Sequence, residues 1–231
     1  MIKSIFNWSG GKDSALALYH ILKDKDYSIE SLITTVNREK DRISMHGVRR
    51  TLLEKQANSL GISLHQVLLS EMPSMEEYDE KMKIMLREFK NQGVTHSIFG
   101  DIFLEDLRAY RDGKLAQLEM KGYYPLWQMD TYKLYNEFIT LGFRAVIVCT
   151  NSRYLDESYL GRELDHDLLN EIPADVDPCG ENGEFHTFVF DGPLFQYPID
   201  FTIGEKVFRS YESEQKSKYD TGFWYLDLIE K

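Results

Sequence analysis

At 231 residues, with 42% hydrophobic and 28% charged side chains, the chain has the composition of a soluble globular protein, long enough for one α/β domain and a smaller appended region. A formal charge of −11 argues against a phosphate-backbone footprint, so no nucleic-acid partner is expected, and no apolar run approaches the ~18 residues of a membrane span. The opening Met1-Ile2-Lys3-Ser4 lacks signal-peptide architecture, and Cys149 and Cys179 offer no CxxC spacing, so a cytoplasmic protein with reduced thiols is expected.

In chain order, β-rich apolar runs occupy residues 3–8, 31–36, 64–69 and 95–100, roughly 30 residues apart, the size of a βαβ unit. Between them the pattern predicts a helix over 48–60, with Leu52, Leu53, Ala57 and Leu60 on one face and Gly61 as its stop. A second helix is predicted over 75–90, where Met82, Met85, Leu86 and Phe89 recur at helical spacing as core residues. The fold class is therefore α/β, a doubly wound and mainly parallel sheet. After Gly122 the texture changes. Tyr123-Tyr124-Pro125-Leu126-Trp127 reads as a linker, a helix precedes a strand over 145–149, and beyond Pro173 a loop leads to strands over 187–190 and 223–226. This suggests units of residues 1–125 and 126–231, the second a smaller α+β region.

Directly after the first predicted strand stands Ser9-Gly10-Gly11-Lys12-Asp13-Ser14, followed at once by a helix-forming run. Strand, glycine turn and helix make a phosphate-binding architecture, in which backbone amides and the positive end of the helix meet the anion. Ser9 and Ser14 supply hydroxyls, Lys12 a positive charge and Asp13 a carboxylate for Mg²⁺. The segment matches neither a Walker A loop nor a dinucleotide fingerprint. It resembles the PP-loop of the ATP pyrophosphatase superfamily, which binds the pyrophosphate half of ATP.

Gly100-Asp101-Ile102 closes the fourth predicted strand, placing Asp101 at the carboxyl edge of the sheet as a second Mg²⁺ carboxylate, a nucleotide contact or a cap for the helix from Leu104. Thr34 and Thr35 lie near the end of the second strand at a comparable edge, and Met45-His46-Gly47 beyond it offers contacts to a purine, with His46 reading equally as a surface loop residue. Arg108 and Arg111 could neutralise phosphate but read first as helix-surface ion pairs. Further on, Asp177-Pro178-Cys179-Gly180-Glu181-Asn182-Gly183-Glu184-Phe185-His186-Thr187 concentrates ionisable groups in a glycine-containing loop. Glu181, Glu184 and His186 are its candidates for substrate binding and proton handling, while Cys179 reads as structural.

Together, Trp8-Ser9-Gly10-Gly11-Lys12-Asp13-Ser14, Gly100-Asp101-Ile102, Pro125-Leu126-Trp127 and residues 180–195 resemble the diphthine–ammonia ligase family. The resemblance implies an adenine nucleotide alpha hydrolase-like domain over 1–125, a substrate-binding region over 126–231, and an ATP-dependent amidation in which an adenylated carboxylate loses AMP to ammonia. It also implies ATP and Mg²⁺ as cofactors and Lys12, Asp13, Glu181, Glu184 and His186 as catalytic groups. The acceptor carboxylate is carried by a protein, such as an elongation factor, or by a small molecule, and a homodimer is compatible with either. The family's third motif carries Glu-Gly-Gly-Glu followed by an aromatic and Glu, whereas Asn182 and His186 resemble a bacterial branch linked to cobalamin salvage. A tRNA-thiolating enzyme predicts cysteine pairs and a basic face that this sequence lacks, and an ATP-binding sensor without turnover is the reading from a different class.

Overall fold

The structure, a computed structural model, describes residues 1–43, 46–211 and 221–231. Strand β1 (Ile2–Asn7) carries Ile5 and Phe6 on opposite faces, both fully buried, as a strand in the middle of a parallel sheet requires. It pairs in parallel with β2 (Tyr27–Asn37) on one side and with β5 (His96–Ile98) on the other. Strand β4 (Leu64–Leu69) extends the sheet in parallel beyond β2, and β6 (Lys121–Tyr123) beyond β5. The parallel core thus runs β4-β2-β1-β5-β6, and the direction of chain progression reverses between β1 and β5. A two-residue strand the sequence pattern did not signal, β3 (Arg42–Ile43), pairs antiparallel with the end of β2.

Four crossover helices cover the sheet. Residues of α1 (Lys12–Lys23) and α2 (Arg50–Leu60) pack with Phe6, Leu32 and Val36 in one core, whereas α3 (Met75–Asn91) packs with Ile5, Ile33 and Val67 in another. Leu115 of α4 (Glu105–Ala116) belongs to that second core. Helix α2 stops where expected, because Gly61 adopts φ +69, a left-handed conformation that leaves no room for a continuing helix. Helix α3 starts where the Ser74 hydroxyl accepts from Glu77 N, 3.1 Å away, and it buries Met85, Leu86 and Phe89 as their spacing predicts.

The second sheet is antiparallel throughout, in the order β8 (Phe185–Asp191), β7 (Arg144–Asn151), β10 (Thr221–Glu230), β9 (Phe201–Tyr211). Helices α5 (Thr131–Thr140) and α6 (His166–Glu171) precede and follow β7. Ala145, Ile147, Phe188 and Leu228 of this sheet enter the same core as α1 and α2, so the two sheets share one apolar interior. The aromatic segment read as a linker is itself packed. Tyr123 belongs to β6, Leu126 is fully buried, and Tyr124 stacks on Phe99 at 5.2 Å between ring centres. The apolar surface of such a run is too large to leave in water. Among the described residues no helix is long and apolar enough to cross a membrane.

Because Phe188 is fully buried in the shared core, Phe188→Ala is expected to lower unfolding free energy by ~3–5 kcal/mol. Urea unfolding followed by both tryptophan fluorescence and far-UV circular dichroism checks this; one coincident, shifted transition is the expected result.

Candidate active site

Where chain progression reverses between β1 and β5, the carboxyl ends of the strands open into a cleft of about 860 Å³, within the ~300–1,000 Å³ typical of small-molecule sites. The turn from β1 into α1 forms its floor. Gly10 takes φ +78, and a Cβ there would stand 2.7 Å from the Gln56 side-chain oxygen. Across the cleft Gly100 lets backbone approach backbone, since a Cβ on it would lie 3.1 Å from the main chain of Asp13 and Ser14.

The first turn of α1 has no side-chain cap. Lys12 N donates to Thr187 Oγ1 at 3.0 Å, while the amide of Ser14 meets no acceptor among the described residues. The Ser9 and Ser14 hydroxyls brace the turn: Ser9 Oγ accepts from Gly11 N at 3.2 Å and donates to Ser14 Oγ at 3.1 Å, and Ser14 Oγ donates to Gly11 O at 2.9 Å. Lys12 is only 4% exposed. Its ammonium donates to Asp13 Oδ2 at 2.7 Å and to the Cys179 carbonyl, with the Phe185 ring beneath it. Burial is the largest single influence and would lower the Lys12 pKa, but the charge and hydrogen bond of Asp13 together with the nearby Cys179 and Glu181 outweigh it and hold the group above its ordinary value.

The loop before β8 reaches across the cleft. Glu181 Oε1 accepts from Ile102 N at 2.7 Å and from Phe103 N at 3.3 Å, joining this loop to the segment after β5. Burial, with the charge of Asp13, pushes the Glu181 carboxyl up to about 7. His186 stacks on His46 with ring centres 4.6 Å apart, and His46 Nδ1 donates to the Thr187 carbonyl at 3.3 Å. Burial lowers the His46 pKa to about 4 and carries that of His186 well below its usual range, so both rings are neutral at pH 7.

The cleft brings together Ser9, Gly11, Lys12, Asp13, Ser14, Thr34, Thr35, His46, Gly100, Asp101, Glu181 and His186. Met45 lies outside the described residues. Glu184 does not line the cleft. It is 1% exposed, and its Oε1 accepts from Asp177 N and Asn182 Nδ2 at 3.1 and 3.0 Å, so it shapes the loop from within. Asp101 does not cap α4, whose first turn follows Leu104; it forms an ion pair with Arg111. Arg108 pairs with Asp112 at 3.5 Å, as helix spacing suggests. Cys179 is buried with its thiol pKa raised, and Cys149 is pushed up to about 12 by burial, so neither is a ready nucleophile.

Sequence reading missed Gln56. This fully buried side chain accepts from the Trp8 indole at 2.9 Å and donates to the carbonyls of Gly10 at 3.1 Å and Val189 at 2.6 Å. The available signal was its spacing, because Gln56 falls on the buried face of α2 with Leu52, Leu53 and Ala57.

A doubly wound α/β fold with a glycine turn at its switch point, closed by a loop from a second sheet, defines a nucleotide-binding type of enzyme scaffold. The family model of the diphthamide synthase N-terminal domain matches residues 2–121, and that of the diphthamide synthase C-terminal domain matches residues 130–227. The chain belongs to the diphthamide synthase family. It is 26% identical over 217 residues to a diphthine–ammonia ligase of Schizosaccharomyces pombe, covering 86% of this chain but 36% of that protein. With the Danio rerio diphthine–ammonia ligase it shares 24% identity over 225 residues, 87% of each chain, and with that of Homo sapiens 28% over 144 residues, 60% of this chain and 53% of the relative. The chain therefore spans about a third of the yeast relative and most of the fish one.

Two outcomes follow from this geometry. Gln56→Leu strands the Trp8 N–H and the Val189 carbonyl, at ~1–3 kcal/mol for each buried group, so chemical denaturation is expected to show a loss of ~2–6 kcal/mol. Glu181 has a folded pKa of about 7 against an ordinary value of 4.5, so the stability it contributes is present below pH 4.5 and is lost as pH rises through 7. Subtracting the Glu181→Gln stability profile from that of the wild type is expected to show a fall confined to that window.

Proposed function

We propose that this chain is an ATP-dependent carbon–nitrogen ligase that adenylates an acceptor carboxylate, releases pyrophosphate and transfers ammonia to the acyl group. The observation that carries the reading is the open N-terminus of α1 at the switch point, with the Ser14 amide unpaired among the described residues and Glu181 held near neutral pKa across the same cleft. Membership of the diphthamide synthase family supports it.

In this reading the β and γ phosphates of ATP sit on the turn of residues 9–14, where backbone amides and the helix dipole meet their charge. The donor set fits Mg²⁺, which takes one or two carboxylates together with phosphate oxygens, and Asp13 and Asp101 are the carboxylates at hand. Bound there, the ion would neutralise phosphate charge. The chain's own work is positioning and electrostatics, the main terms in this class of transfer. An acceptor carboxylate oxygen attacks the α-phosphorus while the bond to the bridging oxygen breaks and pyrophosphate departs. Ammonia then attacks the acyl carbon, AMP leaves with the oxygen of the broken acyl–O bond, and the proton lost by nitrogen passes to ionised Glu181. Neutral His46 and His186 add no positive charge to repel ammonium, and an imidazole nitrogen of His186 can accept an N–H from it. Diphthine, for which the relatives are named, is the first acceptor to test, and corrinoid acids are the second.

Labelled ATP incubated with Mg²⁺, ammonium and each acceptor is expected to yield AMP and pyrophosphate only when the correct carboxylate is present. Asp13→Asn is expected to cut AMP formation by ~100-fold or more with an unchanged circular dichroism spectrum. Tight ATP binding without AMP under any acceptor would instead make the protein a sensor.

A further inference from the structure

A second cavity, of about 410 Å³, lies between α3 and α4 on the face of the sheet away from β8. Its floor breaks the apolar pattern of that face. Asn7, at the end of β1, and Ser97, in β5 beside Ile5, are polar where Ile5 and Ile33 are apolar, and Asn7 Nδ2 donates to Ser97 Oγ at 2.8 Å and to Ile98 O at 2.9 Å. Ser97 is 1% exposed. With its oxygen accepting from Asn7, the Ser97 hydroxyl keeps a donor to offer, and Asn7 keeps its carbonyl oxygen as an acceptor. Leu86, Leu115 and Leu118 give it an apolar stretch of wall, and the exposed side chains of Glu76, Glu80 and Lys83 line it as well. Apolar surface with a small number of polar groups beside it is the form that small-molecule sites take.

The cavity opens into the cleft already described. Asn7, Tyr78, Met82, Phe99 and Arg111 border both spaces. Arg111 stands at this doorway with its guanidinium 4.6 Å from the centre of the Phe99 ring. One of its nitrogens holds Asp101, and no other bond to its remaining donors occurs among the described residues. A guanidinium with free donors beside an apolar chamber is a seat for a carboxylate whose carbon skeleton lies in that chamber. By contrast, Lys114 and Tyr110 are both held by Asp79, and Lys83, the other cation on the lining, is an exposed side chain that does not border the cleft.

We propose that the cavity between α3 and α4 is the acceptor pocket, taking the apolar body of a carboxylic acid whose carboxylate reaches Arg111 at the mouth of the cleft. The assignment rests on the ligase reading for its purpose, since it brings an acceptor carboxylate to the edge of the nucleotide site from the side opposite Thr34 and His46. Selection then comes from shape. A carboxylic acid with a compact apolar skeleton fills the chamber, whereas acetate leaves its walls uncovered.

The test uses the full chain labelled with methyl-¹³C methionine, whose Met82 methyl group reports on both spaces, and 3-phenylpropionate as the probe. Expected is a shift of the Met82 resonance by 3-phenylpropionate at a concentration ~10-fold or more below that needed with acetate. Leu118→Trp, which fills the chamber from its wall, is expected to weaken 3-phenylpropionate by ~10-fold or more while the Kd for a non-hydrolysable ATP analogue stays within about twofold. The milder Leu118→Phe is expected to show an intermediate loss, which guards against a misfolded Trp variant. If the ATP analogue itself is weakened by Leu118→Trp, or 3-phenylpropionate binds that variant as it binds the wild type, the acceptor assignment is overturned. Failure of the ligase reading looks different: 3-phenylpropionate would bind and respond to Leu118→Trp, yet no acceptor would elicit AMP from the wild type.

Discussion

The docking of the phosphate turn onto the free edge of β8 is the constraint on which the site depends. A glycine turn between strand and helix is conformationally loose, and its amides bind an anion only if something fixes them. Here Val189 N donates to Gly10 O at 2.9 Å, Lys12 N to Thr187 Oγ1, and Gln56 bridges Trp8, Gly10 and Val189 from the other side. The N-terminal sheet supplies the turn, and the C-terminal sheet holds it in shape. Phe188 of β8 and Leu53 of α2 lie in one shared core, so the join is packed on its apolar side as well as hydrogen-bonded.

The same arrangement decides which side chains face the ligand. Strand β8 alternates its residues, so Phe185 and His186 point to different environments and only His186 reaches the imidazole of His46. One turn earlier, Gly180 and Gly183 both take positive φ, letting the loop fold tightly enough that Glu184 is enclosed while Glu181 extends to the backbone of Ile102. Two carboxylates three residues apart thus acquire different duties. Glu184 organises the loop, and Glu181 meets the cleft with its charge made costly by burial and by Asp13.

Much of this was legible in the sequence because it depends on local chemistry. The glycine turn, the placing of Thr34 and Gly100 at the cleft, the stop at Gly61 and the Met-bearing face of α3 each follow from residues within a few positions of one another. What could not be read depends on partners far apart in the chain. The inward turn of Glu184, the ion pair of Arg111 with Asp101 and the clamp at Gln56 are set by contacts 7 to 133 residues away. The packing of the aromatic stretch at Tyr124 has a related cause: a proline beside aromatics looks like a break in pattern, but Phe99 and Arg108 supply faces against which those rings pack.

The placement of Lys12 alters the electrostatic account of the phosphate turn. A lysine in such a motif suggests a cation aimed at the anion, yet its ammonium is held by the Cys179 carbonyl and Asp13 and lies almost wholly out of solvent. Its positive charge is therefore balanced within the protein, and its first effect is to tie the turn to the loop that carries Glu181. An arriving polyphosphate competes with Asp13 for that charge. Any shift of Lys12 towards the phosphate leaves Asp13 uncompensated beside Glu181, which raises the cost of ionising both carboxylates unless a cation accompanies the nucleotide. The acidic side chains at this cleft thus favour binding of the nucleotide together with its metal over binding of the bare anion, a preference that follows from local charge and matches the chain's overall negative balance.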